Sequence, residues 1–193
     1  MAPDADATTP PRDDTELMCR VQRGDEAALG TLMQRWERPV KSVIARLVLN
    51  AREAEDLAQE TFVRVWQQRG KFRPDAEFRP WIFSIAVNIA RNRLRWWRSR
   101  PEVALEEWTE GASETESGAT AAERRERAEA VRTAVAALPA ELREALVLSV
   151  YEQMPHAEIA LALGATIKAV ETRIARARAR LRQALPRMSP RNE

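Results

Sequence analysis

Arginines stand at 91, 93, 95, 98 and 100, with Trp96 and Trp97 among them and no carboxylate between. A guanidinium offers a fork of donors that matches phosphate, and an indole face can carry an unstacked base. That is the chemistry of nucleic-acid contact, not of bond breaking. A basic helix end also complements the helix dipole, so on this stretch alone a solvated tail stands as the alternative. A second basic set lies further on: Lys168, Arg173, Arg176 and Arg180, with Thr172 among them. Catalysis has little to work with. His156 and Cys19 are each single, which leaves no nucleophile–base pair, and no clustered metal-ligand spacing occurs. His156 reads as a surface or capping residue and Cys19 as a small half-buried side chain. A carboxylate nuclease is set aside, and no cofactor or metal is expected.

The elements that must position these groups are helices. From Phe78 to Arg98, the residues Trp81, Ile82, Ile85, Ile89 and Leu94 fall near a 3.6-residue period, with Pro80 in the first turn. Upstream, Asp14 is expected to cap a short helix bearing Leu17 and Val21, which Gly24 ends. Asp25 caps the next, whose stripe is Leu29, Leu32, Met33, Trp36, Val40, Val43, Ile44 and Leu47. Pro39 predicts a kink or break in it, and Asn50 its C-terminal cap. A third helix, about 52–69, carries Leu57, Phe62, Val63 and Trp66 and stops at Gly70. A loop with a Pro-Asp turn, KFRPDAEFRP, leads into the basic helix. Strand signals are absent. The predicted fold is all-α.

Downstream, Val131, Val135 and Leu138 predict one helix, ended by Pro139, and Leu142, Ala145, Leu146 and Val150 the next. In PHAEIALALGATIKAVETRIARARARLR the signals agree on a helix-turn-helix. Ile159, Ala160 and Leu163 stripe a short helix, Gly164 suits a left-handed turn, and Thr166 can cap the longer helix after it. Val170, Ile174, Ala177 and Leu181 face inward. Small Ala160 permits a close crossing into which Val170 packs, leaving a basic face suited to a major groove.

Composition bounds the rest. A 45% hydrophobic share over 193 residues supports packed domains, and the net charge of +2 says less than its distribution. Residues 101–123 hold seven glutamates and no lysine or arginine, which predicts a flexible acidic linker. The expected organisation is a disordered lead (1–13), an N-terminal helical domain (14–100), the linker (101–123), a C-terminal helical domain (124–187) and a tail (188–193). One cysteine excludes an internal disulfide and fits a reducing cytoplasm. No apolar run is long enough to span a membrane, and the N-terminus lacks the features of a secretion signal.

Two motif blocks, in order, carry a family resemblance. EAEDLAQETFVRVW (53–66) is paired with FRPWIFSIAVNIARN (78–92), and an acidic linker separates them from LPAELREALVLSVYEQMPHAEIALALG and the Val and Arg positions beyond. Over roughly residues 15–185 the chain resembles the extracytoplasmic-function (ECF) sigma factors of bacterial RNA polymerase, group 4 of the sigma-70 family. The resemblance implies an initiation factor, not an enzyme, whose partners are core RNA polymerase, promoter DNA and an anti-sigma protein. It implies that Asp56, Leu57, Gln59, Glu60 and Arg64 grip the polymerase clamp helices. It places Asn88 beside a flipped base of the −10 element, in a pocket formed by the loop from Phe72 to Phe78 with Trp81, while Arg91 and Arg95 hold the backbone. Extruding a base costs a few kcal/mol, which stacking and hydrogen bonds in such a pocket can offset.

For the −35 element, Thr166 starts the recognition helix, so Lys168, Glu171 and Thr172 lie where base edges are reached, and Arg173 and Arg176 supply phosphate contacts. The chain departs from the family pattern at three positions. Glu171 stands where Lys or Arg is common. Pro155 replaces a capping Ser, which leaves Glu158 without its capping-box partner. Gln153 occupies a spot often held by Gly. A helix-turn-helix regulator that never joins polymerase is the rival reading; it accounts for the C-terminal half alone.

Overall fold

The computed structural model describes the backbone of residues 11–100 and 119–185, and side chains at 14–100 and 126–185. Its helices are α1 (Pro11–Gln22), α2 (Glu26–Val48), α3 (Ala51–Gln67), α4 (Phe78–Ser99), α5 (Ala119–Ala136), α6 (Ala140–Val150), α7 (His156–Leu163) and α8 (Ile167–Ala184), with a 3-10 turn at Arg69–Lys71. The described residues contain no strand. Most of the expected lead, linker and tail lies outside them. Where those segments are described, they are helical: residues 11–13 open α1, and residues 119–123 open α5.

Local chemistry sets several helix ends. Asp25 Oδ1 accepts from the Ala28 amide at 3.0 Å to start α2, and Thr166 Oγ1 accepts from Ala169 at 3.2 Å to start α8. Gly24 (φ +91) and Gly164 (φ +61) take the left-handed conformations that close α1 and α7. Three expectations need correction. Asn50 does not end α2; Leu49 does so at φ +63, and Asn50 caps α3 by accepting from Glu53. Pro39 does not break α2, which runs unbroken to Val48 because buried Leu32, Val40, Val43 and Ile44 hold both sides of it. Asp14 is no cap. It lies inside α1, buried, and accepts from Arg35 at 2.9 Å and from the Trp36 indole at 3.0 Å, tying α1 to α2.

Helices α1 to α4 surround a core that includes Leu32, Ile44, Leu57, Phe62, Phe78 and Phe83. That core does not stop at the first domain. It continues through Ala145, Val147, Leu148, Met154, Ile159 and Val170, because α6 packs on α2 and α7 on α4. A separate small cluster of Leu138, Leu142, Leu146 and Ala177, with Leu181, binds α6 to α8, and α5 also packs on α8. Helix α6 therefore sits between two apolar bodies, and every residue from 142 to 148 is buried. Its predicted stripe of Leu142, Ala145, Leu146 and Val150 is too narrow at one end and wrong at the other, since Val150 is exposed. The two domains are docked.

Gln153 sits at φ +52 in the α6–α7 turn, a conformation that strains any residue with a Cβ. Replacing it by the glycine of the family pattern is expected to raise stability by about 1 kcal/mol. A thermal melt of Gln153→Gly that shows no gain would contradict this account of the turn.

Candidate nucleic-acid interface

The outward face of α3 follows the helical period: Asp56, Gln59, Val63 and Arg64 are exposed and Glu60 is half-buried. Glu60 pairs with Arg64 at 3.2 Å one turn on, a surface contact that leaves both groups reachable. Leu57 does not belong to this face. It is 2% exposed and packs inward, so its part is to seat the helix. The apolar side chain that does stand among the charges is Val63, 53% exposed, although its residue type suggests a place in the core stripe. Its position three and four residues after Glu60 and Gln59 was the available signal. Beside this face, an open groove of about 450 Å³ runs between α3 and α4, lined by Leu57, Glu60, Ile89, Asn92, Arg93 and Trp96.

Helix α4 begins in a nest of rings. Trp36 meets Phe78 and Phe83 edge-on at 5.8 and 5.9 Å, and Phe72 meets Trp81 at 5.1 Å. Phe72 and Phe78 are buried, whereas Trp81 keeps part of its surface open. The loop between them is pinned from α1, where the Gln22 side-chain amide donates to the carbonyls of Arg69 (2.9 Å) and Phe72 (2.7 Å). Arg73 and Asp75 pair across the exposed turn. The two phenylalanines thus form an inner wall, leaving Trp81 and the loop tip as the parts a base could touch.

The basic tail of α4 is less free than its sequence suggests. Arg93 pairs with Glu53 at 2.7 Å, holding α3 to α4. Arg100 lies over the Trp96 ring at 5.1 Å, and Arg95 donates to Asn92. Arg91 reaches the second domain: its Nε and Nη2 donate to the Glu144 carboxylate at 2.8 and 2.6 Å, while Nη1 donates to Asn88 Oδ1 at 3.2 Å. The Glu144 pair raises the arginine's already high pKa further. Asn88 and Arg95 remain exposed.

On α8, Lys168, Glu171 and Arg176 face solvent as expected. Thr166 is occupied as the cap. Thr172 is half-buried and donates to the Lys168 carbonyl at 2.8 Å. Arg173, an expected phosphate contact, turns back to Glu141 in the first turn of α6 at 3.0 Å. Glu171 lies 3.5 Å from Lys168, three residues before it, and not against an arginine. That pair is worth a few tenths of a kcal/mol and does not lock the carboxylate away from a ligand.

Among the docking residues that escaped the sequence reading, two stand out. Arg79, in the first turn of α4, donates to the Glu152 carbonyl and lies 3.8 Å from Glu158. Pro155 gives α7 no side-chain cap, and Glu158, freed of a capping role, faces Arg79 instead. Glu144 is the other, and its signal was a carboxylate in the middle of the apolar run LREALVL. Burial pushes the Glu152 carboxyl up against the opposing charges of Arg79 and Arg46. Burial also pushes Glu158 up, opposed by Arg79 and helped by Glu77. A carboxyl raised on docking favours docking while protonated, and that contribution is lost as pH rises through the raised value. Docking is therefore expected to tighten as pH falls from neutrality toward the ordinary carboxylate value of 4.5. Interdomain fluorescence transfer measures it, and looser docking at the lower pH would contradict the assignment.

Known proteins are similar to this chain. The family model for sigma-70 region 2 matches residues 32–100, and that for sigma-70 region 4 matches residues 128–181. The RNA polymerase sigma-H factor of Pseudomonas aeruginosa is 36% identical over 180 residues, which cover 89% of this chain and 93% of the relative. The ECF RNA polymerase sigma-E factor of Salmonella typhimurium is 32% identical over 174 residues, 86% of this chain and 90% of the relative. Among solved structures, CnrH in complex with the cytosolic domain of CnrY superposes with a TM-score of 0.71 at 29% identity, covering 92% of this chain and 99% of that one.

Proposed function

The chain belongs to the ECF sigma factors of the sigma-70 family, and from that membership we propose how its own residues do the family's work. It joins core RNA polymerase, directs it to promoters by recognising −35 and −10 elements, and helps open the DNA, without bond-making chemistry of its own. It works in the cytoplasm, where polymerase is. One observation carries this reading: a single chain presents an acidic face with a projecting valine on α3, an Asn–Arg row on α4 and a basic recognition helix, α8. A regulator that only binds DNA has no use for the first of these. Asp56, Gln59, Glu60, Val63 and Arg64 dock polymerase. Trp81, Asn88, Arg91 and Arg95 meet the −10 strand, with Phe72 and Phe78 as the wall behind them. CnrH, at 29% identity, was solved with a protein partner bound. By that likeness an anti-sigma protein controls this factor too. Copurification tests the reading: the tagged chain is expected to retain core polymerase as a stoichiometric complex. A chain that shifts promoter duplex yet never retains polymerase would establish the rival.

Glu171 bears on promoter choice. A carboxylate in the first two turns of a recognition helix is repelled by phosphate but can accept from the amino group of cytosine. Glu171→Lys is expected to change the preferred base at one −35 position and to cost the native promoter about 1–3 kcal/mol. Selection from a randomised −35 library decides it. An unchanged preference, with stronger and more salt-sensitive binding to every sequence, would mean that Glu171 only balances Lys168.

A further inference from the structure

Arg91 has two claims on it. As a −10 contact its fork meets the DNA backbone, and in the structure the same fork is filled by Glu144. A carboxylate and a phosphate satisfy a guanidinium edge through the same two-pronged geometry, so the Nε–Nη2 edge cannot hold both at once. The competitor is also well built. The Glu144 side chain is only 4% exposed, and it stands on α6, whose neighbours on both sides are apolar. Undocking would leave this carboxylate to water and Arg91 free.

The rest of the domain contact sits around this pair. Arg79 clips Glu152 and Glu158, and the Arg46 guanidinium lies 3.9 Å over the Tyr151 ring. Meanwhile the α3 face stays exposed, and so does Lys168 on the recognition helix. Docking therefore withholds one surface selectively. The polymerase-facing helix and Lys168 remain available while Arg91, one of the two arginines assigned to the backbone of the −10 strand, is occupied.

We propose that Glu144 is an internal competitor for the −10 strand: docked, it occupies Arg91 as a phosphate would, and the factor takes hold of opened DNA only when the second domain has swung off α2 and α4. The competition rests on the assignment of Arg91 to the −10 strand. The apparent affinity of such a protein for single-stranded DNA is lowered by the fraction of molecules that are undocked. If about one molecule in ten is undocked, release of the clasp brings a gain of about tenfold.

The full chain serves for the test, with labels at exposed positions on the two domains (Arg52→Cys and Arg178→Cys in a Cys19→Ser background). Fluorescence transfer reports the interdomain distance, and titration with a single-stranded oligonucleotide of a dozen bases reports binding. Glu144→Gln weakens the clasp directly. Arg79→Ala weakens it from a second point without touching Arg91, and circular dichroism checks that both variants keep their helices. Each is expected to lengthen the mean interdomain distance and to raise oligonucleotide affinity by about tenfold. A distance unchanged in both folded variants would overturn the clasp. A longer distance with unchanged affinity would instead overturn the −10 assignment of Arg91, and with it the competition.

Discussion

Reversing the charge of Asp56 and Glu60 together, as D56K/E60K, is expected to weaken binding to core polymerase by about two orders of magnitude while leaving helix content unchanged. Both side chains look outward from α3, and neither belongs to the core. Each substitution removes an attraction to a basic partner and installs a repulsion in its place. Like charges set against each other across an interface cost several kcal/mol, and about 3 kcal/mol corresponds to that loss. The folded domain should hardly notice, since among the described residues the ion pair this breaks is the exposed one between Glu60 and Arg64. Leu57 behaves differently. Truncating it opens a cavity in a packed core and costs about 2–5 kcal/mol of stability, so lost binding there would report unfolding and not docking. Val63→Glu separates the two effects, because that side chain projects from the same face without supporting the core. Polymerase affinity of D56K/E60K equal to wild type would show that docking lies elsewhere.

Phe78→Ala is expected to destabilise the first domain by about 3–5 kcal/mol and to lower its melting temperature sharply. The ring is buried and touches Trp36, Phe72 and Trp81, so its removal leaves a hole that three large neighbours cannot close. Asn88→Ala should do the reverse. Its side chain is exposed on α4, and among the described residues its oxygen is engaged by Arg91. Stability should stay near wild type while recognition of one unpaired −10 base weakens by about 1–3 kcal/mol, without loss of polymerase binding. Thermal melts set beside transcription from −10 variants distinguish a wall residue from a contact residue. A stable Phe78→Ala protein, or an Asn88→Ala protein with unaltered discrimination at every −10 position, would break that division.

The helix-turn-helix was legible because its signals are local. A cap oxygen three residues from its amide, a glycine at the turn and a 3.6-residue stripe need no knowledge of the rest of the chain. Asp25, Thr166, Gly24 and Gly164 act as their residue types suggest. What the sequence hid was tertiary. Helix α6 has no clean stripe because it is buried on two sides by different bodies, and periodicity detects one apolar face, not two. Val63 was drawn into the core by its residue type, although its place in the helical turn puts it outside. Asp14 lies three residues into a helix and is held by Arg35 and Trp36, more than twenty positions away. Pro39 removes one backbone hydrogen bond, and packing on both sides of it outweighs that loss. The row of arginines on α4 read as a free basic face, yet Arg91 and Arg93 are each matched by a carboxylate from another helix. Those partners, Glu144 and Glu53, stand far along the chain from them, beyond the reach of any local pattern.

Run-off transcription with purified core polymerase on a library of genomic fragments tests the central claim most directly. Core polymerase alone should give diffuse initiation, and adding this chain should produce discrete start sites that share −35 and −10 elements. The D56K/E60K protein should restore none of them. Transcripts that do not depend on the chain, from a protein that still binds the same fragments by itself, would contradict the account.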